Sequence, residues 1–364
     1  MSLEDSLALK FRPKKLSDIV GQPIVVKAFK NAFKTKQLHH AYIFSGMYGS
    51  GKTTLARIVA AMENCENNAF KDPCGKCKNC REIFVGKSLE VKEMDAASNR
   101  SIDDIRDLQE ELRQSPIQVR TRYVIIDEAH SLTGAAAEAA LKLLEEPPKY
   151  VRFILATTEP QAFKETIHSR CIQWNFSKIT SIEIFEHLKK ISSLENIDIE
   201  EKALKIIAKE SKGSVRNAMQ NFQKAVNYAG EESIKEEHVI EAIGTIDIKL
   251  YFGLVESIIQ KNYLIGFQIV NALFLNGQSV NKVIDGLQNH LNNILLVRLC
   301  KQDAIQFDIT EAELKRYANQ ASKLNPDILL RMMSLVVEIS QGVQYNLNPE
   351  WLFNSYISKC IDSK

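Results

Sequence analysis

The stretch GMYGSGKTT, Gly46 to Thr54, has the spacing of a phosphate-binding loop. Gly46, Gly51, Lys52 and Thr53 fill the fixed places of G-x-x-x-x-G-K-[ST], and Gly49, Ser50 and Thr54 belong to the same loop. In such a loop the backbone N–H groups and a helix N-terminus surround a β-phosphate. Lys52 would reach the β- and γ-phosphates, and the Thr53 hydroxyl would hold Mg²⁺. A second group, Asp127-Glu128, closes the run RYVIIDEAH. There Asp127 would hold Mg²⁺ through water and Glu128 would orient or deprotonate an attacking water. Taken singly, the two motifs could also be a glycine-rich turn and an acidic helix start. A third group is Cys65, Cys74, Cys77 and Cys80 in NCENNAFKDPCGKCKNCREI. Four thiolates so close together, with Pro73 and Gly75 providing turns, suit a closed, structural Zn²⁺ site. An iron–sulfur cluster and free thiols are the alternatives.

These groups need elements that hold them. HAYIFS, His40 to Ser45, is rich in β-formers, and TTLARIVAAMENC after the glycine loop has helical spacing. The run RYVIIDEAH delivers its two carboxylates from a hydrophobic strand. VRFILATTEP predicts a third strand, ending at Thr157 and Thr158, and LEVKEMDAAS a fourth, ending near Asp95. Four strands separated by helical stretches predict an α/β fold with a mainly parallel sheet, binding its ligand at the strands' C-terminal ends. After Ser177 the pattern turns helical. Ser214 is placed as an N-cap, which puts Arg216 in the first turn, where a cation opposes the helix dipole. That misfit predicts an anion near Arg216, a solvated surface arginine being the plainer reading. Later stripes, Leu250, Leu254, Val255, Ile258 and Ile259, then Val283, Leu287, Leu291, Ile294 and Leu295, predict helical core without sustained heptads. Cys300 and Cys360 read as core thiols.

The 364 residues allow two or three domains, and 45% hydrophobic with 25% charged residues is ordinary for a globular protein. The net charge of +2 means that a nucleic-acid partner would have to be met by locally placed Lys and Arg. No apolar run reaches membrane-spanning length, and the start MSLEDSLALKFRP lacks an apolar signal core, which predicts a cytoplasmic protein. In a reducing compartment its cysteines are ligands or buried thiols rather than disulfides.

The segments KFRPKKLSDIVGQ, HHAYIFSGMYGSGKTTLARI, the four-cysteine module, MDAASNRSIDDIRDL, VIIDEAHSLTGAAAEAALKLLEEPP, FILATTEPQAFKETIHSRC and GSVRNA carry a specific resemblance. The chain resembles the gamma/tau family of bacterial DNA polymerase III subunits, the ATPases of the sliding-clamp loader, over essentially its whole length. The resemblance implies an AAA+ P-loop core over 1–178 with a zinc module inserted at 65–80, then a helical lid over 179–243 and a helical collar over 244–364. It also implies ATP, Mg²⁺ and Zn²⁺ as cofactors. Thr157 would be a sensor near the γ-phosphate, Arg170 an arginine finger reaching a neighbouring subunit's ATP, and Arg216 the lid sensor. Projection of Arg170 beyond its own site is expected of an arginine that follows a sheet-edge strand. Arg12 and Val20 fall in the segment similar to the family's adenine and ribose pocket. The partners implied are other loader subunits in a hetero-pentameric open spiral, a sliding clamp and primed DNA.

This chain has Leu9 where many relatives have arginine, and Gly134 where a basic residue often meets DNA, which leaves Arg100 and Lys142 as candidates for phosphate contact. The stop at Lys364 predicts a gamma-type product or a truncated tau-type chain. The favoured activity is mechanical: ATP binding closes the spiral on clamp and DNA, and hydrolysis releases them. The alternative is a non-hydrolysing ATP-binding scaffold subunit, against which Lys52 and Glu128 argue. A DEAH-type helicase would need a second motor domain, and no acidic cluster for polymerisation is apparent.

Overall fold

Runs such as YVII and FILA, apolar at every position, are suited to strands covered on both faces, and the chain uses them that way. In a computed structural model of the chain the described residues are 6–67, 69–98, 101–244, 246–275, 278–301, 303–304, 309 and 311–362. They fall into two units, Met1–Glu236 and Glu237–Lys364.

The first unit holds a parallel sheet of β1 (Ala41–Gly46), β2 (Val91–Asp95), β3 (Arg122–Asp127), β4 (Val151–Thr157) and β5 (Ile172–Phe176), in the order β2-β3-β4-β1-β5. Alternate side chains of one strand serve opposite layers. Tyr42 and Phe44 of β1 pack with Phe29, Leu55, Ile58 and Ile83 from α2 (Pro23–Thr35), α3 (Lys52–Asn64) and α4 (Lys78–Val85). Ala41 and Ile43 face Ile105, Leu108, Ala140 and Leu144 from α5 (Ile102–Glu111) and α6 (Gly134–Glu145). The register Ser45↔Thr157 and Asp95↔Asp127 brings the strands' C-terminal ends to one rim.

β5 goes beyond the four strands expected. Its pattern Ile-Gln-Trp-Asn-Phe is half polar because it lies at the sheet edge, where Asn175 accepts from Ser45 Oγ at 2.5 Å and from Gln173 Nε2 at 2.9 Å. β4 is an interior strand, so the expectation for Arg170 is corrected: it follows the short helix α7 (Glu165–His168) and leads into edge strand β5.

The same unit continues into α8 (Ser181–Glu195), α9 (Glu201–Glu210) and α10 (Val215–Ala229). α8 opens with a capping box between Thr180 and Glu183, and α10 is capped by Ser214, which accepts from Asn217 N–H at 3.3 Å. Leu204, Ile207, Ala218 and Phe222 bury the apolar faces of α9 and α10.

The second unit is built of helices, among them α12 (Ile248–Ile259), α14 (Val280–Cys300), α16 (Pro326–Gln344) and α17 (Pro349–Ile361). Its core contains Leu254, Val255, Ile258, Val283, Leu287, Leu291, Ile294 and Cys360, while Leu250, Ile259, Leu295 and Cys300 pack against it half-buried. No helix among the described residues is long and apolar enough to cross a membrane.

Candidate nucleotide site and cysteine cluster

The glycine loop leaves β1 at Gly46 and enters α3 at Lys52, so the free N–H groups of the α3 N-terminus face the loop. Gly46 is required where it stands: a Cβ there would lie 2.5 Å from the Phe176 carbonyl oxygen. Lys52 is buried, and its Nζ donates to the carbonyls of Gly46 at 2.7 Å and Met47 at 3.0 Å. Burial pushes the Lys52 ammonium down from its ordinary pKa, while Glu128 and Asp127 pull it up. Thr53 Oγ1 donates to Asp127 Oδ2 at 2.8 Å, placing a hydroxyl and a carboxylate side by side as a Mg²⁺ site needs. Ser50 Oγ is buried without a hydrogen-bond partner among the described residues, an orphaned group that a phosphate oxygen would satisfy.

A cleft of about 170 Å³ joins these groups to the lid. It is lined by Leu9, Phe11, Arg12, Ile19 and Val20 from the N-terminal segment, by Tyr48 to Thr54, by Asp127 and Glu128, and by His187, Val215, Arg216 and Met219. Arg12 Nε donates to Thr54 Oγ1 at 3.2 Å, and burial beside Arg57 pushes its guanidinium down to about 10. Arg216 lies over the Tyr48 ring, its guanidinium carbon 4.8 Å from the centroid, and donates to the Tyr48 hydroxyl. The cleft therefore gathers Arg12, Val20, Gly49, Ser50, Gly51, Lys52, Thr53, Thr54, Asp127, Glu128 and Arg216.

Gly46, Thr157 and Arg170 are not among the described residues lining it. Gly46 ends β1 close against Phe176. Thr157 is fully buried at the end of β4, with Oγ1 3.0 Å from His130 Nδ1 and accepting from Glu159 N–H at 3.0 Å. His130 in turn stands 3.5 Å from Glu128 Oε2, which also accepts from Thr158 Oγ1 at 3.3 Å. Glu128 itself has φ 47°, the left-handed region that a β-carbon disfavours. This His130–Thr158 bracket around Glu128 was missed in the sequence, although DEAH contains the histidine. Arg170 pairs with Glu145 at 2.8 Å and donates to Thr166 O at 2.8 Å. Lys142 is exposed on α6 and Arg100 lies outside the described residues. Gly134 begins α6 with open space where a Cβ would stand, and Leu9 is half-exposed at the cleft.

The sulfur atoms of Cys65, Cys74, Cys77 and Cys80 all lie within 4.8 Å of one another. A tetrahedron with metal–sulfur bonds of ~2.3 Å has sulfur edges of ~3.8 Å, so the cluster could hold one metal ion. Backbone N–H groups already point at the sulfurs: Lys76 and Cys77 donate to Cys74 at 3.4 and 3.3 Å, and Cys80 to Cys77 at 3.4 Å. These donors push the Cys74 thiol down to about 6, whereas burial pushes Cys80 well up. Cys77 also caps α4, and Gly75 turns the chain at φ +68°.

Sheet, glycine loop, acidic rim and helical lid define an AAA+ P-loop ATPase-type fold. The Thermotoga maritima RuvB Holliday junction branch migration motor shares it, with a TM-score of 0.50 and 22% identity over 68% of this chain and 79% of that one. Residues 21–180 match the family described as DNA polymerase III, delta subunit, and residues 183–231 the DNA polymerase III clamp loader subunit, ATPase lid domain. The chain belongs to the DNA polymerase III gamma/tau subunit family. It is 32% identical to DNA polymerase III subunit gamma of Buchnera aphidicola subsp. Schizaphis graminum over 90% of each chain. Identity to DNA polymerase III subunit tau is 34% in Bacillus subtilis and 35% in Escherichia coli, over 96% and 91% of this chain. Those matches span 62% and 51% of the two tau chains.

Proposed function

We propose that the chain is an ATP-hydrolysing subunit of a bacterial clamp loader, acting in the cytoplasm with other loader subunits, a sliding clamp and primed DNA. The observation that carries this is the meeting, in one cleft, of Lys52, the Thr53–Asp127 pair, Glu128 and the lid residue Arg216. Lys52 would leave the Gly46 and Met47 carbonyls for the β- and γ-phosphate oxygens. Thr53 would hold Mg²⁺ directly and Asp127 would hold it through water, and Arg12 and Val20 would flank the base and ribose. Glu128, already bracketed by His130 and Thr158, would orient the attacking water, while Thr157 would sense the γ-phosphate through the same bracket. Arg170, on the surface beside Glu145, would serve a neighbouring subunit's nucleotide. Zn²⁺ on Cys65, Cys74, Cys77 and Cys80 would tie loop 65–80 together without taking part in the reaction. The helical collar over 244–364 would join subunits.

Lys52→Ala tests the cleft. Hydrogen bonds to charged groups contribute about 1.5–3 kcal/mol each. Losing two should weaken Mg-ATP binding by about 100-fold or more, with the apo fold intact by circular dichroism. Affinity within a few-fold of the parent would count against the assignment.

A further inference from the structure

Tyr48 occupies a variable place of the glycine loop, where no phosphate chemistry demands an aromatic residue. Its ring is half-exposed, and the guanidinium of Arg216 lies over it at 4.8 Å while donating to its hydroxyl. Two further contacts fix this meeting. Val215 N–H donates to the Gly49 carbonyl at 3.2 Å, and Gly49, at φ +74°, lets the loop come so close that a Cβ there would stand 2.1 Å from Ser214 Oγ. The start of α10 is thus held against the loop by its backbone, and the Arg216 side chain extends from that pivot over Tyr48. At that pivot Arg216 stands in the first turn of its helix, opposed by the dipole, and shares the cleft with the cations Arg12 and Lys52. The electron-rich face and hydroxyl oxygen of Tyr48 give it a partner there.

We propose that Tyr48 is a positioning residue that holds Arg216 over the glycine loop and competes with the terminal phosphate of a nucleoside triphosphate for it. The inference rests on the reading of Arg216 as the lid group that meets that phosphate. Tyr48 then sets how strongly the site distinguishes triphosphate from diphosphate, because a diphosphate offers Arg216 nothing to leave the ring for.

The test measures affinities for ADP and for a non-hydrolysable ATP analogue in the full chain, by calorimetry, for the parent, Tyr48→Ala, Tyr48→Phe, Arg216→Ala and the double variant Tyr48→Ala/Arg216→Ala. A cation–π contact of this exposure corresponds to about a two- to five-fold effect. Tyr48→Ala should therefore tighten the triphosphate analogue by about that factor while ADP moves less than about two-fold. Tyr48→Phe, keeping the ring but not the hydroxyl, should fall between parent and Tyr48→Ala, and the gain should vanish when Arg216 is absent. Parallel changes in both affinities, or a gain that persists without Arg216, overturn the proposal. A triphosphate-to-diphosphate ratio untouched by Arg216→Ala overturns the reading of Arg216 and the Tyr48 role with it. A ratio altered by Arg216→Ala but not by Tyr48→Ala overturns the Tyr48 role alone.

Discussion

Gly49→Ala should damage the junction between loop and lid, and the size of the effect follows from two local terms. Gly49 has φ +74°, where a side chain costs about 1–2 kcal/mol. The new Cβ would stand 2.1 Å from Ser214 Oγ, closer than any contact allows, so the hydroxyl must turn away. That hydroxyl is the N-cap of α10, accepting from Asn217 N–H at 3.3 Å, and losing a cap costs about 1 kcal/mol. Together the two terms come to roughly 2–3 kcal/mol, which in a unit of this size lowers Tm by about 4–12 °C. The assay is thermal unfolding of the full chain followed by circular dichroism, for Gly49→Ala, Ser214→Ala and the double variant. Ser214→Ala alone should cost the cap, about 2–4 °C. The double variant should fall short of the sum by about the cap's contribution, since neighbouring changes share that term. A Gly49→Ala chain melting within about 1 °C of the parent would refute the close approach of loop and lid, and strict additivity would refute the Ser214 contact.

Glu128→Gln should keep Mg-ATP bound and lose turnover by about 10² to 10⁴, because Thr53 and Asp127 still hold the metal while the water loses its carboxylate; turnover near the parent's would remove Glu128 from its role. Purified protein should carry one Zn²⁺ per chain by elemental analysis, released by a chelator at low pH as the thiolates protonate; stoichiometric iron, or no metal, would contradict the assignment. Arg170→Ala should spare ATP binding by its own subunit and slow hydrolysis next door, where fingers in other phosphoryl-transfer systems contribute about 10³ to 10⁵. Mixing Arg170→Ala chains with Lys52→Ala chains in an assembled loader should then restore some activity, and no recovery would place the defect in cis.

The glycine loop, the acidic pair and the cysteine cluster were legible because each compresses its chemistry into a few neighbouring residues. Ser214 was legible as a cap for the same reason. Edge strand β5 was not, since Gln173 and Asn175 satisfy one another and Ser45 at the sheet margin and so break the apolar run that marks buried strands. Contacts between distant segments were equally hidden: His130 with Thr157, Arg170 with Glu145, and Arg216 with Tyr48 are brought together by the fold and leave no local spacing to read. The first-turn cation at Arg216 led to the expectation of an anion, and gave no sign of the Tyr48 ring over which its guanidinium lies.

Steady-state ATP hydrolysis by the assembled loader, with and without primed DNA and a sliding clamp, tests the central claim most directly. The account predicts hydrolysis that rises when clamp and primed DNA are both present, coupled to clamps left on the DNA, and abolished by Lys52→Ala in this chain. Absence of hydrolysis with Mg-ATP under those conditions, or hydrolysis unaltered by Lys52→Ala, would contradict it.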